Sequence, residues 1–452
     1  MKLTTKWHCV AALIIAASHE TFPSAHDIDP NFLHSTENGL TASGITGSSH
    51  IFRENARGLA SGNIFQRMNR VDPTQLHDVI FAIQQKNIET LTGILHDISD
   101  PESPNYGKYM TRADIAELTG NPDARDEVLS YVMAAGAKIV SETLYGDYIT
   151  ASAPVSVWEK MLDTEFFTYS VLPIERDRKN YDIERDESIR NYIRAERYSV
   201  PMVLDAHVQS ISNTIQLPPM MTWRLRPTAV HSAQTSYRQS NRISTENIIP
   251  PTGYIFPAYL NSVYNIDSNV GHPLATQALF GGYDQYFSPE DVAAFQAHHS
   301  LPNQPVSQSL GNHSQSSVWC LNNLLYCSEG NLDVQYITAI SQSPTIYYYT
   351  DLGLTSTWLV EVANLVSPPL VMSISYGIEE YYLDSNEMDA FNIQAIKLSA
   401  MGVTIVSSSG DDGANSWNAR ESAASCEYRP IFPCTSPYVL SVGGTQVGRL
   451  DD

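Results

Sequence analysis

The chain has 452 residues, 42% hydrophobic and 17% charged, which suits two globular domains with a sizeable core plus tails. A formal net charge of −22 argues against a nucleic-acid partner, which wants a basic surface. An acidic chain repels itself less where carboxylates are partly protonated, so the charge accords with an acid medium.

Met1, Lys2 and Lys6 precede the nine-residue apolar run CVAALIIAA (9–17), and the small residues Ala16, Ala17 and Ser18 close it. That layout predicts a signal peptide over 1–18, too short to span a bilayer. No later stretch reaches about 18 consecutive apolar residues, so no transmembrane helix is expected. Residues 19–70, rich in Ser, Gly, Thr and Asn, are predicted to be a disordered tail.

Order is expected from HDVIFAI (77–83), a strand, followed by a helix over 87–99 capped by Asn87, with apolar residues at 88, 91, 94, 95 and 98. The turn SDPESPNYGKYM (99–110) follows, then short helices opened by Thr111 and Pro122, the second closing at Gly136. Strands at 137–142 and 147–153, helix VSVWEKML (155–162) and strand FFTYSV (166–171) complete a β–α–α–α–β–β–α–β order. Such an order predicts an α+β sandwich of ferredoxin-like type, within a domain over 71–215. Residues 216–250 are polar, Pro-containing and Arg-bearing, and predict an exposed linker open to proteolytic nicking.

From 251 to 452 the character changes. PLVMSIS (369–375) and VTIVSSS (403–409) are continuous β-rich runs joined through an amphipathic helix (386–402) that ends at Gly402. Apolar strands linked in this way make a βαβ unit with a buried parallel sheet, so the second domain is predicted to be α/β, and PYVLSVGG (437–444) adds an interior strand.

With export, Cys9 would leave with the signal, and Cys320, Cys327, Cys426 and Cys434 remain. An even count in an exported protein suggests two disulfides, with three possible connectivities, of which the local pairs 320–327 and 426–434 are preferred. Asn312 opens the only Asn-x-Ser/Thr sequon and is the candidate glycosylation site.

Two places carry chemistry. In CSEGNLDVQYITAI (327–340) the apolar Leu332, Tyr336, Ile337 and Ile340 mark a helix, and Glu329 and Asp333 share one face a turn apart. Adjacent carboxylates repel, so one keeps its proton to higher pH, and the pair can act as a base with a supporting acid. In SSSGDDGANSW (407–417) a strand ends on the tight turn Gly410-Asp411-Asp412-Gly413, at the sheet edge where α/β proteins bind ligands. Either feature alone is more often surface: a solvated acidic pair, or a plain Asp/Gly turn. A metal site at Glu329 and Asp333 is disfavoured, since hard cations want more oxygen ligands.

From about residue 71 onward the sequence resembles the sedolisins, serine-carboxyl peptidases that include tripeptidyl peptidases and kumamolisin-like enzymes. The carrying motifs are SDPESPNYGKY, RYSVPMVLDAHV (197–208), YLNSVYNI (259–266), QYFSPEDVAAFQ (285–296), SEGNLDVQYITAI, SISYG (373–377), SSGDDGA (408–414) and RPIFPCTSPYVLSVGGT (429–445). The resemblance implies a subtilisin-like parallel-sheet catalytic domain preceded by an α+β propeptide. It also implies Glu329 as general base, Asp333 as the acid orienting it, and Asp411 as oxyanion donor. A carboxylate base and a protonated oxyanion donor both demand acid pH. The family's Ser-Gly-Thr-Ser-x-Ser does not occur here. The resemblance thus leads to the expectation that the natural reading frame continues and that this chain alone is inactive, with calcium expected for the complete family member but bound by no ligands here. The implied protein is a secreted zymogen, extracellular or in an acidic lysosome-like compartment, acting on protein or peptide substrates and bound by its own propeptide. A non-catalytic secreted protein that binds or inhibits related peptidases is the alternative.

Overall fold

The computed structural model describes residues 50–55, 65–171, 191–217, 255–266, 268–282, 285–311, 314–350, 356–365, 367–383, 385–415 and 428–444. The signal run, the sequon at Asn312 and the linker beyond residue 217 lie outside the described residues.

The first half is built on β3 (Leu76–Ile83), whose last five residues are all buried. It pairs antiparallel with β5 (Tyr148–Pro154) on one side and β9 (Val208–Ser212) on the other, and β4 (Lys138–Glu142) pairs with β5, giving the order β4-β5-β3-β9. One face carries Val79, Phe81 and Ile83 into a core with α3 (Pro122–Ala134) and α4 (Val155–Leu162), where Val128, Val132, Trp158 and Leu162 are fully buried. The alternate residues Ile80 and Ala82 point the other way, with Tyr148, and meet Val360 of the second half.

Three expectations are corrected here. The tail does not run to residue 70: β1 (His50–Asn55) pairs with β8 (Arg197–Pro201), and β2 (Phe65–Arg70) pairs with β6 (Phe166–Val171), so apparently featureless segments become strands through distant partners. Nor does β6 close the four-stranded sheet: it joins β2 and β7 (Asn191–Ala195) in a separate three-stranded sheet, and β9 takes the fourth place. Asn87 stands at the start of α1 (Ile88–Ser99) in a left-handed conformation and makes no side-chain cap; its amide donates to the Leu118 carbonyl at 2.8 Å instead. Thr111 does cap α2 (Arg112–Thr119), in a reciprocal box with Asp114.

The second half is a six-stranded sheet, parallel throughout, ordered β11-β12-β10-β13-β15-β17. These strands are β10 (Gln277–Gly282), β11 (Gln308–Leu310), β12 (Thr345–Thr350), β13 (Val371–Ile374), β15 (Thr404–Ser408) and β17 (Leu440–Val442). Every residue of β10 is buried, as a central parallel strand covered on both faces requires. The chain also forms α5 (Pro257–Val263), and α7 (Ser317–Asn322) precedes α8 (Ser328–Ser341). One face of the sheet packs on α6 (Pro289–His298) and α8 through Leu279, Phe287, Val292, Val334, Ile337 and Tyr347. The other packs on α9 (Ser356–Ala363) and α10 (Ser385–Ala400) through Phe280, Trp358, Met372, Phe391 and Leu398. Gly402, at φ +88°, ends the α10 run as expected. β17, expected as an interior strand, pairs on one side only among the described residues, and its Leu440 is exposed.

The halves meet at α10. Leu91, Leu95 and Ile98 of α1 and Ile115 of α2 pack against Ile396 and Ala400. The Met110 amide donates to the Ala400 carbonyl at 2.9 Å, and the Arg112 guanidinium donates to the Leu365 carbonyl. At the centre, the Lys397 ammonium, nearly buried, donates to Gln85 Oε1 at 2.7 Å and to Asp147 Oδ2 at 3.0 Å. Burial pushes the Asp147 carboxyl up, but the Lys397 charge and hydrogen bonds from Thr143 and Lys397 outweigh it and hold it below its usual range.

Candidate active site

Chain direction places the site. A helix that leads into a parallel strand begins at the carboxyl edge of the sheet, and α8 leads into β12. Its first turn, carrying Glu329, therefore lies at the edge where β13 runs into Ser375 and β15 runs into Gly410 and Asp411.

The start of α8 is fastened from three sides. Cys320 and Cys327 form a disulfide, Cα to Cα 5.5 Å, that closes the loop immediately before Ser328. No side chain of the helix itself caps this end, and the Glu329 amide donates to Gln285 Oε1 at 3.2 Å instead. The Tyr347 hydroxyl, from β12, donates to the Gln285 carbonyl at 3.1 Å. Gly330 is needed where it stands: a Cβ there would come within 2.2 Å of the Tyr286 carbonyl oxygen, so the backbone of 285–287 could not lie against the helix.

Glu329 and Asp333 are 3% and 1% exposed, far from the surface pair that spacing alone leaves open. The two carboxyls are hydrogen-bonded to each other, and the Ser375 hydroxyl donates to Asp333 Oδ1 at 2.9 Å. Burial above all drives the Glu329 carboxyl well above its ordinary value; the Asp333 charge and hydrogen bond and the Asp411 charge add to this, with Ser375 opposing. Asp333 is pushed up to about 7 by burial, against the pull of hydrogen bonds from Ser375 and Glu329. Burial and the two carboxylates together keep Tyr347 a neutral phenol. Glu329 Oε1 is buried without a hydrogen-bond partner among the described residues, an acceptor that a donor group would complete.

Asp411 is exposed, following Gly410 at φ +85°, a conformation that favours glycine. The turn is tied to the 428–432 segment by the Arg429 amide donating to the Ala414 carbonyl at 2.8 Å. There β16 (Ile431–Phe432) pairs with β14 (Ile378–Glu379), and Arg429 bridges to the buried Glu379 at 3.2 Å. The structure thus brings Glu329, Asp333 and Asp411 into one electrostatic group, while Gln285, Tyr347 and Ser375 belong to it without having been singled out. SISYG, a strand ending on Ser375, was the available signal for the last of these.

Cys434 carries a free thiol in contact with Ser441 Oγ at 2.7 Å, against the preferred bridge to Cys426, which lies outside the described residues. No cluster of three or more His, Cys, Asp or Glu side chains able to hold a metal ion occurs among the described residues. No helix among them is long and apolar enough to cross a membrane.

Residues 64–217 match the family described as Pro-kumamolisin, activation domain. The chain is 28% identical over 397 residues to tripeptidyl-peptidase 1 of Macaca fascicularis, covering 84% of this chain, and 27% identical over 397 residues to that of Homo sapiens. It spans 63% of the length of these relatives. Among solved structures, a Pseudomonas sedolisin (serine-carboxyl proteinase) complexed with pseudo-iodotyrostatin is 20% identical, covering 42% of this chain and 53% of that one at a TM-score of 0.34. Residues 64–217 thus carry an activation domain of the Pro-kumamolisin type, and the second half continues the similarity to tripeptidyl-peptidase 1, so the chain is similar along most of its length to peptidases of the sedolisin type.

Proposed function

We propose that the protein is made as a zymogen of an acid-acting serine-type peptidase, to which these residues contribute the base, its supporting acid and the oxyanion group. In this reading the first half is a ferredoxin-like propeptide and the second belongs to a subtilisin-like catalytic domain. A substrate-attacking serine hydroxyl passes its proton to Glu329, whose buried Oε1 lacks a donor, as Oγ bonds to the scissile carbonyl carbon. Asp333 holds Glu329 in orientation. A protonated Asp411 donates to the oxyanion of the tetrahedral intermediate. Collapse expels the amine, protonated by Glu329, and water then releases the acyl group by the same route. Both raised carboxyls suit a base that works below neutrality. The carrying observation is the buried Glu329–Asp333 pair lying within electrostatic reach of Asp411 at the carboxyl edge of a parallel sheet.

The serine motif is absent from these 452 residues, so the chain by itself is proposed to be inactive. The second reading is a protein that binds intact relatives without turnover. The name tripeptidyl-peptidase 1 favours release of N-terminal tripeptides over internal cleavage. The disulfide supports an oxidising route of export, and an acidic destination fits the chemistry.

The test is peptide hydrolysis by the product of the complete reading frame after incubation at about pH 4. A substrate with a free N-terminal tripeptide and an N-terminally blocked protein substrate separate the two specificities. Turnover is expected to vanish in Glu329→Gln. Turnover that survives that substitution, or its absence from the complete product, refutes the proposal, and tight binding to an active relative then supports the second reading.

A further inference from the structure

We infer that Ser375 is a positioning residue that holds Asp333 as the hydrogen-bond acceptor of the carboxyl pair and so assigns the pair's shared proton to Glu329. The inference deepens the proposed function, since its consequence for catalysis rests on Glu329 acting there, but the protonation state it concerns exists without turnover.

The geometry begins with the sheet. Ser375 follows the last residue of β13, which is held in register by β10 on one side and by β15 on the other, where Ile374 pairs with Ser407. Its backbone position is therefore set by the most constrained part of the second half. From there its hydroxyl donates to Asp333 Oδ1 at 2.9 Å. Asp333 meets two potential donors, this hydroxyl and the Glu329 carboxyl, and an ionised carboxylate accepts from both while a protonated one must itself donate. Glu329 has different surroundings: its Oε1 is unpartnered, the charges acting on it are those of acids, and the Ser375 hydroxyl is the least of the influences on it, whereas on Asp333 it is the strongest opponent of burial. With one proton between two carboxyls, the form that serves both hydrogen bonds to Asp333 keeps it on Glu329 and directs it at Asp333, so in the proposed reaction Glu329 takes up the serine proton at Oε1 as it passes its own to Asp333.

The ionisable groups facing the pair are Asp411 from the turn after β15 and Tyr347 from β12, on which Tyr286 from the segment before α6 acts in turn. All are acids, so none supplies a positive charge that could do the work of Ser375. The hydroxyl is the feature that lowers both carboxyls against burial.

The experiment is an infrared titration of the protonated-carboxyl band of the 452-residue chain, with the pair isolated as the difference from Glu329→Gln. Ser375→Ala is expected to raise the midpoint by about one unit or more, the usual worth of a hydrogen bond to a charged group. Ser375→Thr, which keeps the hydroxyl, should titrate as the wild type. If Ser375→Ala does not fold, Ser375→Cys, a near-isosteric weak donor, is expected to shift in the same direction. A folded Ser375→Ala or Ser375→Cys with an unmoved midpoint overturns the inference, as does a shift in Ser375→Thr equal to that of Ser375→Ala. The midpoint shift without any dependence of peptide hydrolysis on Glu329 would uphold the inference and remove only the functional reading.

Discussion

Replacing Asp333 by Asn should make the protein more stable at neutral pH, although it removes a group the proposed chemistry needs. Asp333 is raised from 3.8 to about 7 on folding, so between those values the folded chain binds a proton that the unfolded chain does not. Stability from this group is thus fully present below the unfolded value and declines as pH rises towards 7. Three units correspond to on the order of 4 kcal/mol in full, and sharing of the penalty with Glu329 brings the expected gain for the variant at pH 7.5 to about 2–4 kcal/mol. The asparagine oxygen can still accept from Ser375, so little packing is lost. Thermal unfolding of wild type and Asp333→Asn from pH 4 to 8 is the assay, with the melting temperatures nearly equal at the acid end. At the neutral end the variant should melt about 5–10 °C higher, given about 2–4 °C per kcal/mol for domains of 150–250 residues. Parallel pH profiles, or a variant less stable at pH 7.5, would refute the electrostatic reasoning.

His77 is buried, with its ring against Phe166 and its Nε2 at 2.7 Å from the Asn213 carbonyl, and burial, with the Arg194 charge, takes it from 6.5 down to about 4. Its folded form stays neutral while the unfolded chain protonates, so the first half should lose on the order of 3 kcal/mol as pH falls from 7 to 4; His77→Gln should flatten that slope in pH-dependent unfolding, and an unchanged slope would count against it. Lys397→Met should cost about 3–5 kcal/mol at pH 7 by leaving Asp147 buried without its cation. Because Asp147 is held low in the native chain, its bridge persists until pH falls below the usual carboxylate range, whereas the cost in the variant should shrink on acidification as Asp147 takes up a proton; a pH-independent cost would be inconsistent. Removing the disulfide with Cys320→Ser and Cys327→Ser should cost about 2–3 kcal/mol for so short a loop, measured by denaturant unfolding. Non-reducing peptide mapping should find those two linked and Cys434 open to alkylation, and a Cys426–Cys434 peptide would contradict the structure.

Elements whose partners are close in sequence were readable in advance. The α1 stripe at 91, 95 and 98, the Thr111 cap, the Pro122 start and the β13–α10–β15 unit all follow from local pattern and turn chemistry. What escaped was set by long-range pairing: Phe65–Arg70 reads as tail until Phe166–Val171 lies beside it, and the place of β9 depends on β3, 125 or more residues earlier. The carboxylate pair was legible as a spacing, but its burial was not, because nothing in SEGNLDV shows that Tyr347, Ser375 and the 285–287 segment enclose it. Cys434 misled because closeness in sequence was the ground for pairing it, whereas its thiol is free and in contact with the Ser441 hydroxyl.

Helix α10 belongs to both halves at once. Phe391, Ala395 and Leu398 face the parallel sheet, while Ile396 and Ala400 are covered by α1 and α2, and Lys397 lies between under Gln85 and Asp147. From Gln394 to Leu398 every residue of the helix is buried, so that stretch has no solvent face to fall back on. The two halves should therefore melt as one transition while joined, with no folded half surviving the loss of the other at the same temperature. Release of the first half would not unveil a finished surface: it would strip Ile396 and Ala400 bare, and the freed second half would have to repack that stripe or shield it against another apolar surface.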